Sequence, residues 1–141
     1  MSTAAHWLVR TVSLVVVLGL VGCGGQVKTY NIPGKLVYED GSPVTAGGTI
    51  TLQTKAGDQT IDAHGQADSE GKFTLSTFKE GDGVVAGEHA VSVTPLPAGD
   101  SAAPTTPPIP AKYSDFSTSG LKTSVTPDTT EIVITISKSG N

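Results

Sequence analysis

Short runs of alternating apolar and polar residues recur along residues 35–137, and clusters of Gly, Pro, Asp and Ser separate them. Alternation places the apolar side chains on one face of a strand, and no stretch here has the period of an amphipathic helix. We therefore predict an all-β domain of about seven strands, the number typical of a sandwich of two antiparallel sheets. The predicted strands are Lys35–Glu39, Thr49–Thr54, Gln59–Ala67, Lys72–Ser76, Glu88–Thr94, Leu121–Val125 and Glu131–Ser137.

The same alternation predicts which side chains face the core. Turns are expected at Glu39–Pro43 and Asp68–Gly71, where Gly, Asp and Ser tolerate positive φ or cap the backbone, and a broad loop is expected over Thr77–Ala86. The predicted inward residues are Leu36, Tyr38, Ile50, Leu52, Ile61, Ala63, Phe73, Leu75, Val91, Val93, Ile132, Ile134 and Ile136.

The N-terminal residues have the parts of a secretory signal: a short start containing His6 and Arg10, the apolar stretch Val12–Leu20, and small residues before Cys23. An apolar stretch of roughly ten residues is too short for a transmembrane helix, which needs about 20. A lone cysteine forms no internal disulfide, yet one thiol is sufficient for lipid attachment. The sequence therefore predicts secretion.

Leu20-Val21-Gly22-Cys23 resembles a bacterial lipobox. The resemblance implies that the signal peptidase recognises Leu20, Val21 and Gly22 and cuts the chain before Cys23. It also implies that acylated Cys23 anchors the protein in the lipid bilayer. Gly24 in place of Asp resembles lipoproteins that are not retained in the inner membrane. The implied location is the bacterial cell envelope, on the outer membrane, facing the periplasm or the cell surface.

The expected organisation has four parts along the chain. Residues 1–22 are the signal peptide, residues 23–33 the lipidated cysteine and tether, residues 34–138 the β domain with a proline-rich loop at 95–110, and residues 139–141 a tail. This length after cleavage suits one domain with a modest core.

Several segments in order resemble one family, the small bacterial lipoproteins with a carboxypeptidase-regulatory-like, or transthyretin-like, β-sandwich of immunoglobulin-like architecture. The resemblance implies the fold and a cell-surface location, and it carries no agreed catalytic site. His89 stands where a Tyr is expected. The segments that carry the resemblance are Gly34–Val44, Gly48–Leu52, Asp68–Leu75, Gly87–Pro95, Ile109–Asp115 and Thr118–Leu121.

The connection Pro95–Gly120 is the first candidate for a working surface, because compact domains rarely carry loops longer than about 12 to 15 residues without a role. Its proline-rich part favours polyproline II, which exposes the backbone to partners. The alternative is a stiff connector whose end docks on the domain through Ile109, Tyr113 and Phe116. The candidate partner-binding residues are Pro97, Pro104, Pro107, Pro108, Ile109 and Tyr113.

No metal or cofactor is predicted. Five acids in turns could converge and offer oxygen ligands to calcium, although their spacing matches no calcium loop and turn acids usually bond the local backbone. His64 and His89 are too few for a zinc site and are interpreted as strand residues. The five acids are Asp40, Asp68, Glu70, Glu80 and Asp82.

No catalytic residue is predicted, and we expect the protein not to be an enzyme. No serine lies in a Gly-x-Ser-x-Gly turn, and a lipidated Cys23 is no nucleophile. Hydroxyisourate hydrolases of the transthyretin-like fold use an Arg-containing site, whereas the chain after Cys23 has no Arg. Intradiol dioxygenases bind iron through two Tyr and two His, and the spacing of those residue types here does not match.

Composition limits the partners. Cleavage would remove Arg10 and Trp7, the only Arg and Trp, and leave a net charge of about −5, which argues against nucleic acid because phosphate binding needs clustered cations. We expect a monomer whose partner is an envelope protein or a glycan. Three classes of function stay open: a binding or adhesion module, a structural envelope lipoprotein, and a cryptic enzyme.

Overall fold

A computed structural model describes residues 27–97 and 109–139, and it confirms that the domain is mostly β. Within these residues the helical elements are one short 3₁₀ helix and one turn of α-helix. In order, the elements are β1 (Thr29–Tyr30), β2 (Gly34–Tyr38), β3 (Gly48–Ala56), β4 (Gln59–Ala67), β5 (Lys72–Phe73), β6 (Val84–Val85), β7 (Gly87–Thr94), a 3₁₀ helix η1 (Ala111–Ser114), α1 (Phe116–Ser119), β8 (Leu121–Val125) and β9 (Ile132–Ile136).

The largest sheet is antiparallel throughout, in the order β4-β3-β7-β8. Strands β3 and β4 form a long hairpin in which Gly48 pairs with Ala67 at one end and Ala56 with Gln59 at the other. Strand β7 joins the other side of β3, with Thr94 opposite Thr49.

A second sheet has the order β5-β2-β9, and here the expectation of purely antiparallel sheets is wrong. Strands β2 and β9 run parallel, with Leu36 opposite Ile134. Antiparallel neighbours are favoured by short hairpins, whereas β2 and β9 are separated by most of the chain. The connection between them is long enough to allow either direction.

The predicted strand Lys72–Ser76 is divided between two sheets. Its first part is β5, which pairs with β2, and Ser76 then makes an isolated antiparallel bridge with His64 of β4. Between Phe73 and Ser76 the backbone passes very close to β4. A Cβ atom on Gly65 would lie only 2.6 Å from the carbonyl oxygen of Thr74. The absent side chain of Gly65 permits this crossing.

Two short strands and two helical turns were not predicted. Strands β1 and β6 pair with each other over two residues each, which is too short for a periodic pattern to reveal. Strand β1 lies within residues 23–33, the expected tether, and Ile32 beside it is buried in the core. The packed part of the chain therefore begins before Gly34.

Every predicted inward residue is buried, and the two larger sheets contribute to one hydrophobic core. The turn predictions also hold, since Gly41 and Gly71 both adopt positive φ. Further members of the core come from outside the predicted strands or their predicted faces: Ile32, Val44, Ala67, Val84, Ile109, Tyr113 and Val125.

Candidate functional site

The predicted site residues fall into three groups in the structure. Lipobox residues Leu20, Val21, Gly22 and Cys23 lie outside the described residues, and so do Pro104, Pro107 and Pro108 of the candidate loop. Pro97 is exposed at the start of that loop. Ile109 and Tyr113 are buried, so their side chains anchor the loop end and are not exposed contacts for a partner.

The two ends of residues 97–109 are held at adjacent positions in the fold. A Cβ atom on Gly47 would lie 3.0 Å from Leu96 Cδ1, and one on Gly48 would lie 2.9 Å from Ile109 Cδ1 and 3.3 Å from the carbonyl oxygen of Thr94. Leu96 and Ile109 therefore pack on neighbouring glycines at the start of β3. The described residues on either side of 98–108 therefore lie close together.

The chain from Ile109 to Ser119 is fixed by hydrogen bonds within its helical turns and to strands of both larger sheets. The Tyr113 hydroxyl accepts a hydrogen bond of 2.9 Å from the backbone N–H of Ser137 after β9. The Asp115 carboxylate caps α1 by accepting from the Ser117 N–H at 2.7 Å, and the pKa of Asp115 is lowered by its bonds to Ser117. Buried Ser119 donates to the Val91 carbonyl at 2.6 Å. Both larger sheets thus hold this end of the loop.

The first described residue lies at the opposite end of the large sheet. Val27, the first described residue, lines a surface groove with residues 59–62 of β4 and with Phe78. The loop ends lie beside Gly48, which pairs with Ala67 at the far end of β4. At about 3.3 Å per residue, Thr60 and Ala67 are about 23 Å apart along the strand.

The entry end carries a mixed apolar and basic surface, which we call the entry patch and define as Val27, Lys28, Phe78 and Lys79. These residues, with Thr29 and Asp82, line an open groove of about 830 Å³. Phe78 is 62% exposed and Val27 is 45% exposed, unusual values for large apolar side chains in an otherwise well-buried set. Sequence reasoning missed this patch, although an aromatic residue beside Lys79 in a polar turn was a visible signal.

Asp82 holds the turn that displays Phe78. Its carboxylate accepts hydrogen bonds from the backbone N–H groups of Thr77 at 2.7 Å, Phe78 at 3.1 Å and Lys79 at 3.2 Å. These bonds, that of Thr77 first, lower the pKa of Asp82 despite an opposing effect of burial. The carboxylate therefore stays charged and is directed at the backbone.

Asp40 and Asp68 are likewise used locally. Asp40 pairs with Lys138 and accepts from Ser42, which lowers the pKa of Asp40, and Asp68 accepts from the N–H groups of Glu70 and Lys72. Among the described residues, no group of three or more His, Cys, Asp and Glu side chains is arranged to hold a metal ion.

His89 is a fully buried strand residue. Its Nε2 lies 2.9 Å from the Val85 carbonyl oxygen, while its buried Nδ1 has no hydrogen-bond partner in the described part of the chain. Burial lowers the pKa of His89, with the bond to Val85 opposing the shift, so the ring is neutral near pH 7. His64 lies instead on the exposed face of β4, with Nδ1 3.1 Å from Thr51 Oγ1.

Comparisons with protein-family models, with curated proteins and with solved structures find no match to this chain. The helices within residues 27–97 and 109–139 include none that is long and apolar enough to cross a bilayer.

Proposed function

We propose that the protein is a lipid-anchored lipoprotein of the bacterial cell envelope that carries a non-catalytic binding module, a β-sandwich of the transthyretin-like or carboxypeptidase-regulatory-like kind. Acylated Cys23 would hold it to the outer membrane, and the proline-rich residues 97–109 would bind the partner.

The observation that carries this proposal is the separation of the two ends of the domain. Val27, four residues after Cys23, lies beside the start of β4, whereas Leu96 and Ile109, which flank the proline-rich residues, lie beside its end. A domain tethered at the entry end would present the loop on the side away from its lipid, about 23 Å further along the strand. That arrangement suits recognition of a partner outside the membrane.

The chemistry of the loop favours a protein partner over a glycan. Proline-rich chain in polyproline II conformation exposes its carbonyl groups and loses little further entropy on binding. Glycan sites commonly stack aromatic rings on the sugar, and the chain after Cys23 has no Trp. We therefore expect an envelope protein to contact the loop.

Cross-linking on intact cells of the native host, followed by mass spectrometry, tests this function. We compare the wild type with a deletion of Ala98–Thr106 and with a control in which the same nine positions carry a Gly/Ser sequence of equal length. A protein partner that is captured reproducibly by the wild type, and is lost in both variants, supports the binding module.

Cross-links that stay unchanged in both variants, to abundant envelope proteins alone, would contradict the binding module and favour a structural envelope lipoprotein. Loss in the deletion but not in the Gly/Ser control would show that the loop acts only as a spacer. Equal abundance of the three proteins in the membrane fraction is required for the comparison.

A further inference from the structure

We propose that the entry patch is a second membrane contact, which lies against the lipid headgroups of the bilayer that holds acylated Cys23. This inference rests on the proposed lipidation and adds to it a defined orientation of the domain. The occupant is a lipid surface, and the side chains that meet it are Val27, Lys28, Phe78 and Lys79.

The length of chain between the lipid and the patch is the first support. Cys23 and Val27 are four residues apart, so even a fully extended chain separates them by no more than about 14 Å. Val27 itself belongs to the patch, and Phe78 shares two grooves with it. Any conformation of the intervening residues therefore keeps the patch close to the headgroups.

The composition of the patch is the second support. Phe78 and Val27 are two of the three large apolar side chains that are prominently exposed among the described residues, and they lie together. Exposed apolar groups with lysines beside them suit the boundary between headgroups and acyl chains, where the ring enters the apolar layer and the ammonium groups stay among the phosphates.

The charges around the patch permit this contact. Lys28 Nζ lies 5.1 Å from the centre of the Tyr30 ring, and no carboxylate within residues 27–97 and 109–139 forms a salt bridge with it. The nearest acid in the groove, Asp82, is bonded to three backbone N–H groups of the turn. Glu80 is exposed on the same turn, and the positive charges of Lys28 and Lys79 equal in number the negative charges of Glu80 and Asp82.

The rigid support of Phe78 is a further reason to expect insertion. Besides the three bonds to Asp82, the turn is closed by the Thr77 hydroxyl, which donates to the Gly83 carbonyl at 2.7 Å, and by the Gly81 N–H, which donates to Ser76 Oγ at 2.9 Å. A ring displayed by an ordered turn loses less entropy on insertion than one on a free loop. The fold thus exposes the Phe78 ring beside Val27, close to the proposed lipid attachment site.

The test uses tryptophan fluorescence of the full, lipidated protein in vesicles. Phe78→Trp is compared with Val133→Trp, a control at an exposed apolar position of β9 that is 50% exposed. Both carry Trp7→Phe, so that each has one Trp whether or not the leader is removed. The vesicles contain phosphatidylcholine and phosphatidylglycerol, with or without bromine atoms on the upper acyl chain.

We expect bromine to quench about half of the emission of Phe78→Trp and little of that of Val133→Trp, because interfacial side chains lie at the depth of the upper acyl chain. Adding Lys28→Gln and Lys79→Gln to the Phe78→Trp protein should reduce the quenching. Vesicle-bound protein with equal, weak quenching at both positions would overturn the patch contact. Protein that fails to float with the vesicles would instead overturn the lipid anchor, so the two failures are distinguishable.

Discussion

At the scale of one residue, the burial of His89 makes the stability of the fold depend on pH. The ring is 1% exposed, and burial lowers its pKa below the ordinary value of 6.5. As the pH falls through 6.5, the unfolded chain takes up a proton before the folded chain does, so folding becomes less favourable. The stability that His89 permits is present above pH 6.5 and is lost as the pH falls toward its lowered folded pKa.

We expect the wild type to lose stability between pH 7.5 and pH 5.5, with a slope from this group of at most about 1.4 kcal/mol per pH unit. His89→Gln does not titrate and can still donate to the Val85 carbonyl, so its loss should be smaller. Urea unfolding at the two pH values measures both. Equal losses in the two proteins would show that His89 does not set the pH dependence.

The buried end and the exposed start of the proline-rich loop differ at the scale of an element. Ile109 and Tyr113 belong to the core, while Pro97 is exposed. Deleting Ala98–Thr106 should leave the free energy of unfolding within about 1 kcal/mol of the wild type, because loop length costs free energy only logarithmically. Ile109→Ala should cost about 2–5 kcal/mol, as expected for truncating a buried aliphatic side chain.

Thermal or urea denaturation of the two variants checks this contrast, with Pro97→Ala as a control at the exposed start of the loop. A deletion that destabilises as much as Ile109→Ala would contradict the assignment of Ala98–Thr106 to a peripheral role. In that case residues Ala98–Thr106 would contribute to stability as much as the buried side chain of Ile109 does.

At the same scale, local periodicity predicted two strands of the large sheet with their full bounds. Strand β4 has its predicted bounds Gln59–Ala67, and β8 its predicted bounds Leu121–Val125. Lys72–Ser76 was less predictable, because its alternation is continuous while its pairing changes from β2 to β4. Periodicity reports which face is buried and carries no information on the partner strand.

At the scale of the whole molecule, the proposed orientation depends on a lipid attached to Cys23, and removing that lipid tests the proposal. Cys23→Ala removes the thiol that lipid attachment requires, so we expect the protein to move from the membrane fraction to the soluble fraction. Gly22→Ala keeps a small residue before the cut and should leave the protein in the membrane fraction.

Fractionation of cells that express each protein, with detection by antibody, measures this shift. Cys23→Ala protein that stays in the membrane fraction would contradict lipid anchorage as the means of attachment. If high salt then releases the Cys23→Ala protein from the membrane, the lysines of the entry patch would be responsible, since exposed charge contacts are screened by salt.

Much of the candidate site could not be predicted from the sequence. Proline content pointed to residues 95–110, yet only the packing of Leu96 and Ile109 on Gly47 and Gly48 brings both ends together. Phe78 could equally have been a core residue, because a single aromatic in a turn has no periodicity to assign its face. The side chain of Phe78 is exposed because the turn that Asp82 closes holds it away from the core.

By itself the sequence determined the all-β character, most strand positions and the inward faces, because these depend on a two-residue period that acts over neighbouring positions. The N-terminal motif likewise predicts an anchor from adjacent residues alone. Only the tertiary structure decided the parallel pairing of β2 with β9, the meeting of the loop ends and the exposure of Phe78. Each of these depends on which distant segments share one core, and no local pattern encodes that choice.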